Sequence, residues 1–282
     1  MIDGLIFKGG GVKGLAFVGA LEEYGKYENI YTVKYLSGTS AGSIVATLLA
    51  TNHTIKEVND ILYNVDWNRF KDGNFGFIRN AVRLFTKFGY HKGKYFERFM
   101  NEVLFKKYNI ENMTFNQLFE ITKKHLKMVG TNVTRGETIY MDHIHTPDMS
   151  VAKAVRISLS TPFMFQPVKI NNELYVNSEL TSNSDLSMFD DVEDVINIIA
   201  FDLKETYFNV SKKFCLKTFI QSITKIGVSK SNPTESNNMH ICKIFEDSID
   251  TTKFNLVKEE KDYLKLIGRN AFIKFLYKSD YF

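Results

Sequence analysis

A serine set between two glycines, Gly38-Thr39-Ser40-Ala41-Gly42, constrains this chain more than any other feature, because of what stands on either side of it. Before it, Val33, Tyr35 and Leu36 have the β-branched and aromatic character of a buried strand. After it, Ile44, Val45, Leu48 and Leu49 recur at helical spacing. A strand that turns straight into a helix makes a sharp corner, and the small residues Gly38 and Gly42 let the flanking backbones pass. Such a corner lifts the Ser40 hydroxyl above the sheet edge, at a helix N-terminus whose unpaired N–H groups favour developing negative charge. This is the setting of a nucleophile.

Upstream, Ile2 to Phe7 reads as a first strand, followed by the glycine loop Lys8-Gly9-Gly10-Gly11-Val12-Lys13-Gly14 and an amphipathic helix through Leu15, Val18, Leu21 and Tyr24. The loop matches G-x-G-x-x-G through Gly9, Gly11 and Gly14, which raises the dinucleotide-binding reading. That reading expects an acidic residue at the end of the second strand, whereas here the second strand runs into the Ser40 corner. A P-loop is a poorer match, since no Gly-Lys-Ser/Thr closes the motif. The two motifs make chemical sense together. A serine attacking an ester creates an oxyanion, and the N–H groups of Gly10 and Gly11 can approach that oxygen without Cβ obstruction.

In this order the motifs resemble those of the patatin-like phospholipases, with Gly9-Gly10-Gly11-Val12-Lys13-Gly14 as the first signature and Gly38-Thr39-Ser40-Ala41-Gly42 as the second. Further landmarks follow in family order at Thr114-Phe115-Asn116-Gln117-Leu118, Gly130 to Gly136, and Ile157-Ser158-Leu159-Ser160-Thr161-Pro162-Phe163-Met164-Phe165-Gln166-Pro167. The resemblance implies a three-layer α/β fold, a mostly parallel central sheet with helices on both faces. It spans residues 1–205, leaving 206–282 as a mainly helical extension packed on that domain. It further implies hydrolysis of acyl esters in phospholipids or other lipids, with an acyl-enzyme on Ser40, an oxyanion held by Gly10 and Gly11, and Lys13 fixing the loop. A phospholipid or membrane surface is then the partner. The chemistry calls for no metal or organic cofactor.

The resemblance breaks at one position. Family members pair the serine with an aspartate in an Asp-Gly-Gly or Asp-Gly-Ala motif after a short strand, and the aligned stretch here is Leu174-Tyr175-Val176-Asn177-Ser178-Glu179-Leu180. A carboxamide can orient a serine hydroxyl but takes no proton from it, and losing general-base assistance costs about 10²–10⁴ in rate. Three readings stand: a pseudoenzyme that binds lipid or regulates, a substitute base at Glu179 or Asp185, or Asn177 as a deliberate or deamidated form of aspartate, the least favoured because Asn-Ser deamidates more slowly than Asn-Gly.

With 44% hydrophobic residues the chain can bury a full core. A net charge of +4 is too small to argue for nucleic acid but suits contact with an anionic lipid surface. Cys215 and Cys242, without a CxxC or a secretory signal, indicate reduced thiols in a cytoplasmic setting, with membrane contact only peripheral. The aromatic and basic stretch from Trp67 to Tyr95 is expected as a helical layer over the sheet, or else as a lid touching lipid. Asp142-His143-Ile144-His145 reads as a solvated strand end rather than a metal site, and Tyr263 to Tyr277 as a basic amphipathic helix docked on the domain or else lying on a membrane.

Overall fold

Leu5, Ile6 and Phe7 are wholly buried, the pattern of a strand covered on both faces. The computed structural model describes residues 1–73, 76–178, 188–189, 192, 197–204 and 239–278, with the side chains of 77–81 left out. In it, β1 (Gly4–Phe7) lies between β2 (Tyr35–Gly38) and β9 (Ile198–Lys204), parallel to both. Parallel pairing extends outward to β10 (Met239–Phe245) beside β9 and β4 (His125–Asn132) beside β2. Beyond β4 the sheet turns antiparallel through β8 (Glu173–Asn177) and β7 (Val168–Ile170), and β5 (Glu137–Met141) also pairs antiparallel with β4. The expected α/β architecture is present.

Alternate strand residues divide between two apolar clusters, as the pleat requires. Leu5, Phe7, Leu36, Ile199 and Phe201 join the larger, with α1 (Leu15–Tyr24) and α2 (Ala41–Ala50), whereas Ile6, Val129, Ile198 and Ala200 join the smaller with Met188 and Phe189. Every residue of α2 is buried, so the helix that follows Ser40 is a central pillar. The C-terminal helix lies against α1, and its buried Leu264, Gly268 and Phe272 form one stripe. There the backbones touch: a Cβ on Gly19 would come within 1.8 Å of the Lys265 carbonyl oxygen, and one on Gly268 within 1.8 Å of that of Ala16.

Between α2 and β4 the chain forms α3 (Ile55–Asn64), opened by a Thr54–Glu57 capping box, then α4 (Phe77–Lys87), β3 (Gly89–His91), α5 (Lys94–Tyr108) and α6 (Phe115–Thr122). Strand β3 pairs in parallel with β6 (Phe163–Phe165) as a ribbon apart from the main sheet. Phe88, just before β3, and Phe163, the first residue of β6, have φ 57° and 66°. A left-handed backbone costs a side-chain-bearing residue about 1–2 kcal/mol.

Helix α7 (Val151–Ser158) leads into β6, and the C-terminal helix, α8, spans Lys258–Lys278. The stretch expected to be largely helical beyond residue 205 thus contains a strand, β10, where Ile241, Cys242 and Ile244 suit a half-buried pleat. Among the described residues no helix is long and apolar enough to cross a membrane.

Candidate active site

Ser40 caps α2 with φ 51° and ψ −123°, the strained corner that the flanking glycines make possible. Its two glycines are obligatory for contact reasons. A Cβ on Gly38 would meet the Gly42 carbonyl oxygen at 2.2 Å, and one on Gly42 would meet that of Phe7 at 2.1 Å. The corner is also laced by hydrogen bonds: Thr39 N–H to the Phe7 carbonyl at 3.0 Å, and the Ser43 hydroxyl to the Ser40 carbonyl at 2.6 Å. Ser40 retains 7% exposure at the carboxyl end of the parallel strands, where α/β folds place their ligands.

The glycine loop lies beside the corner, at the end of β1. Gly11 has φ 55°, and a Cβ there would strike the Thr251 carbonyl oxygen at 2.1 Å, the same oxygen that accepts the Val12 N–H at 3.1 Å. Gly14 faces Ala41, since a Cβ on it would stand 3.0 Å from the Ala41 Cβ. Neither the Gly10 nor the Gly11 N–H is taken by an acceptor among the described residues. Lys13 is 3% exposed, and its ammonium donates to the Glu246 carbonyl at 2.8 Å and stands 3.2 Å from the Glu246 carboxylate. The carboxylate in turn accepts the Ser248 N–H at 2.7 Å and the Ile249 N–H at 3.1 Å. The loop therefore rests on the turn that follows β10.

Asn177 ends β8 and is fully buried. The strand register sets its height: Ser37 of β2 pairs with Lys127 of β4, and Gly130, three residues further along β4, pairs with Asn177. Residue 177 thus stands just beyond the carboxyl end of β2, two strand spacings or about 10 Å across the sheet. Its backbone N–H donates to the Ser160 carbonyl at 3.1 Å and its Nδ2 to the Thr161 hydroxyl at 3.2 Å, while its Oδ1 is buried with no acceptor role filled among the described residues. From the other side, the Ser40 N–H donates to the Ser158 hydroxyl at 2.9 Å. One strap, residues 158–161 at the end of α7, holds both positions.

Arg156 braces that strap. At 3% exposure, its guanidinium donates to the carbonyls of Lys92 at 2.7 Å and Gln166 at 2.6 Å, and to the Ser160 hydroxyl. Burial lowers its pKa to about 10, opposed by Asp72 and Glu97, so it stays protonated at neutral pH. Asp72 itself accepts the Gly93 and Tyr95 N–H groups. Sequence reasoning singles out neither Arg156, Ser158 nor Glu246 for these roles.

Glu179 and Asp185, the candidate substitute bases, lie outside the described residues, as does Cys215. Asp142 closes β5 in a turn, accepting the Ile144 N–H at 2.8 Å and the His145 N–H at 2.7 Å, while His143 stacks on Phe119 with ring centroids 4.0 Å apart. No group of three metal-ligating side chains occurs among the described residues.

A family model described as patatin-like phospholipase matches residues 5–190. Uncharacterized protein R571 of Acanthamoeba polyphaga mimivirus is 31% identical over 275 residues, 93% of this chain and 90% of that one. Probable lipid hydrolase 463L of Invertebrate iridescent virus 6 is 27% identical over 179 residues, 61% of this chain and 58% of that one. Among solved structures, VipD from Legionella pneumophila superimposes with a TM-score of 0.64 at 17% identity, covering 98% of this chain and 67% of that one. At such identity the likeness to VipD speaks for the fold.

Proposed function

This chain belongs to the patatin-like phospholipase family, and from that premise we propose that it is a serine acyl hydrolase acting on phospholipid or other lipid acyl esters through Ser40. The observation that carries this reading is the shared strap: Ser158 holds the Ser40 N–H, and Thr161 and Ser160 hold Asn177. Such a strap keeps a nucleophile and its partner position in fixed relation. In the reaction, Ser40 Oγ bonds to the ester carbonyl carbon, the carbonyl oxygen takes up negative charge beside the Gly10 and Gly11 N–H groups, and collapse expels the alcohol to leave an acyl-serine. Water then releases the fatty acid.

Asn177 sets the rate. Its Oδ1 can accept a hydrogen bond from the Ser40 hydroxyl and aim it, but the proton must leave to the departing alcohol or to water. The proposed enzyme is therefore slow, by about 10²–10⁴ relative to an aspartate at the same place. A second reading, a lipid-binding pseudoenzyme, is favoured by the same residue.

Intact-mass analysis after exposure to a fluorophosphonate probe separates the two. The expected result is slow labelling of the parent, none of Ser40→Ala, and labelling faster by about 10²-fold in Asn177→Asp. No labelling of the parent with labelling restored in Asn177→Asp assigns the pseudoenzyme. Labelling that survives in Ser40→Ala removes Ser40 as the nucleophile.

A further inference from the structure

Beside the strap lies an apolar surface that the proposed chemistry does not use. Val82 and Phe85, three residues apart on α4, are 56% and 76% exposed, and Phe88 at the end of that helix is 56% exposed. Phe163, 45% exposed, pairs in register with Gly89, the residue that follows Phe88. Both phenylalanines sit in the left-handed region, where Asn or Gly is at ease and a bulky residue is an outlier. Folding gains little from rings left in water, so these positions ask for another explanation.

Charge narrows the partner. Residues 76–96 contain five basic residues, Arg79, Arg83, Lys87, Lys92 and Lys94, and no acidic one. Arg83 braces α4 through the carbonyls of Gly73 and Tyr90, whereas Lys87 and Lys94 are exposed. Exposed phenylalanines on a basic segment that carries no acidic residue suit the boundary between acyl chains and anionic headgroups.

We propose that Val82, Phe85, Phe88 and Phe163 dock this chain on an anionic phospholipid surface, the rings entering the acyl boundary and the flanking lysines meeting headgroups. Chain and hydrogen bonds link this surface to the candidate active site. Phe163 is two residues from Thr161, which holds Asn177, and Arg156 ties the loop after β3 to the strap. Docking there would bring the lipid layer against the strap. Its purpose rests on the acyl hydrolase reading, but its test does not.

The test is sedimentation of full-length Ser40→Ala with vesicles of phosphatidylcholine containing phosphatidylglycerol, so that no turnover is needed. Adding Phe85→Ser and Phe88→Asn, the second compatible with the left-handed backbone, is expected to raise the half-binding lipid concentration by about tenfold or more with unchanged thermal unfolding. A change of less than about twofold overturns the proposal, as does loss of a dimer on the same substitutions, which would make the surface a contact between copies. As a second readout, Phe85→Trp should be quenched by phospholipids brominated on the acyl chain, against the buried Trp67 as background. Absence of quenching overturns it equally. Turnover of a soluble short-chain ester by the parent is scored separately, so vesicle binding without turnover sinks the hydrolase reading alone.

Discussion

The backbone N–H of Ser40 donates to the hydroxyl of Ser158 at 2.9 Å, across 118 residues of sequence. Ser158→Ala leaves this buried N–H without its acceptor, which costs about 1–3 kcal/mol. The expected outcome is a loss of that size in urea unfolding, with fluorophosphonate labelling of Ser40 slowed by about 10–100-fold because the corner shifts. Ser158→Thr, which keeps an Oγ, should recover both. Labelling unchanged alongside the stability loss would reduce the bond to scaffolding.

Lys13 and Glu246 form a buried ion pair beneath the glycine loop. Breaking it from one side, as in Lys13→Met, strands a carboxylate in the interior and should cost about 3–5 kcal/mol. The double variant Lys13→Met, Glu246→Leu removes the stranded charge and should regain part of that loss. Recovery stays incomplete because Glu246 also caps the Ser248 and Ile249 N–H groups. Denaturant midpoints of the three chains decide it, and a double variant no better than Lys13→Met would contradict the pairing.

Arg156 serves three acceptors with one planar fork, a task a lysine cannot reproduce. Arg156→Lys keeps the charge and should still lose about 1.5–3 kcal/mol. Hydrogen exchange locates the damage: the amides of the β3–β6 ribbon and of residues 158–161 should exchange faster, while β1 and β2 hold. Uniform acceleration over all strands would refute a local brace.

Buried His53 has its imidazole pushed down to about 4, chiefly by burial and then by Lys107, while its Nδ1 lies 3.1 Å from the Leu48 carbonyl. Unfolded, the same group takes its proton near pH 6.5. Between these values the unfolded chain holds more protons, so stability is full above neutral pH and falls as pH drops through 6.5 toward 4. From about pH 7.5 to about pH 5 the expected loss from this residue is about 2 kcal/mol. Urea unfolding at the two pH values should show it, and His53→Asn should flatten the slope by that amount. His125 and His143, also pushed down mainly by burial, contribute in the same direction.

The parts of the site legible in the sequence are those whose chemistry is local. Ser40 with its two glycines, and Gly9 to Gly14 after a first strand, carry their geometry within a few residues, because a corner or a tight loop limits what can occupy it. Asn177 could be placed by its neighbours Tyr175 and Val176, and its amide chemistry follows from identity alone. The braces were illegible for the opposite reason. Lys13 meets Glu246 across 233 residues, and nothing near either residue marks the pairing. The short strands β3 and β6 escape periodicity, since three residues show no alternation. Within 206–282, the helical pattern of α8 was evident, whereas β10 gains its identity from β9 beside it.

The central strand β1 has its two neighbours at residues 35–38 and 198–204. On a ribosome adding residues from the N-terminus, the serine corner can form early, but β1 stays open on one side until almost three-quarters of the chain has emerged. The turn at 246–251 that supports the glycine loop arrives later still. Ser40 is thus synthesised long before its surroundings can be assembled, and a nascent or truncated chain carries the nucleophile without the braced loop beside it.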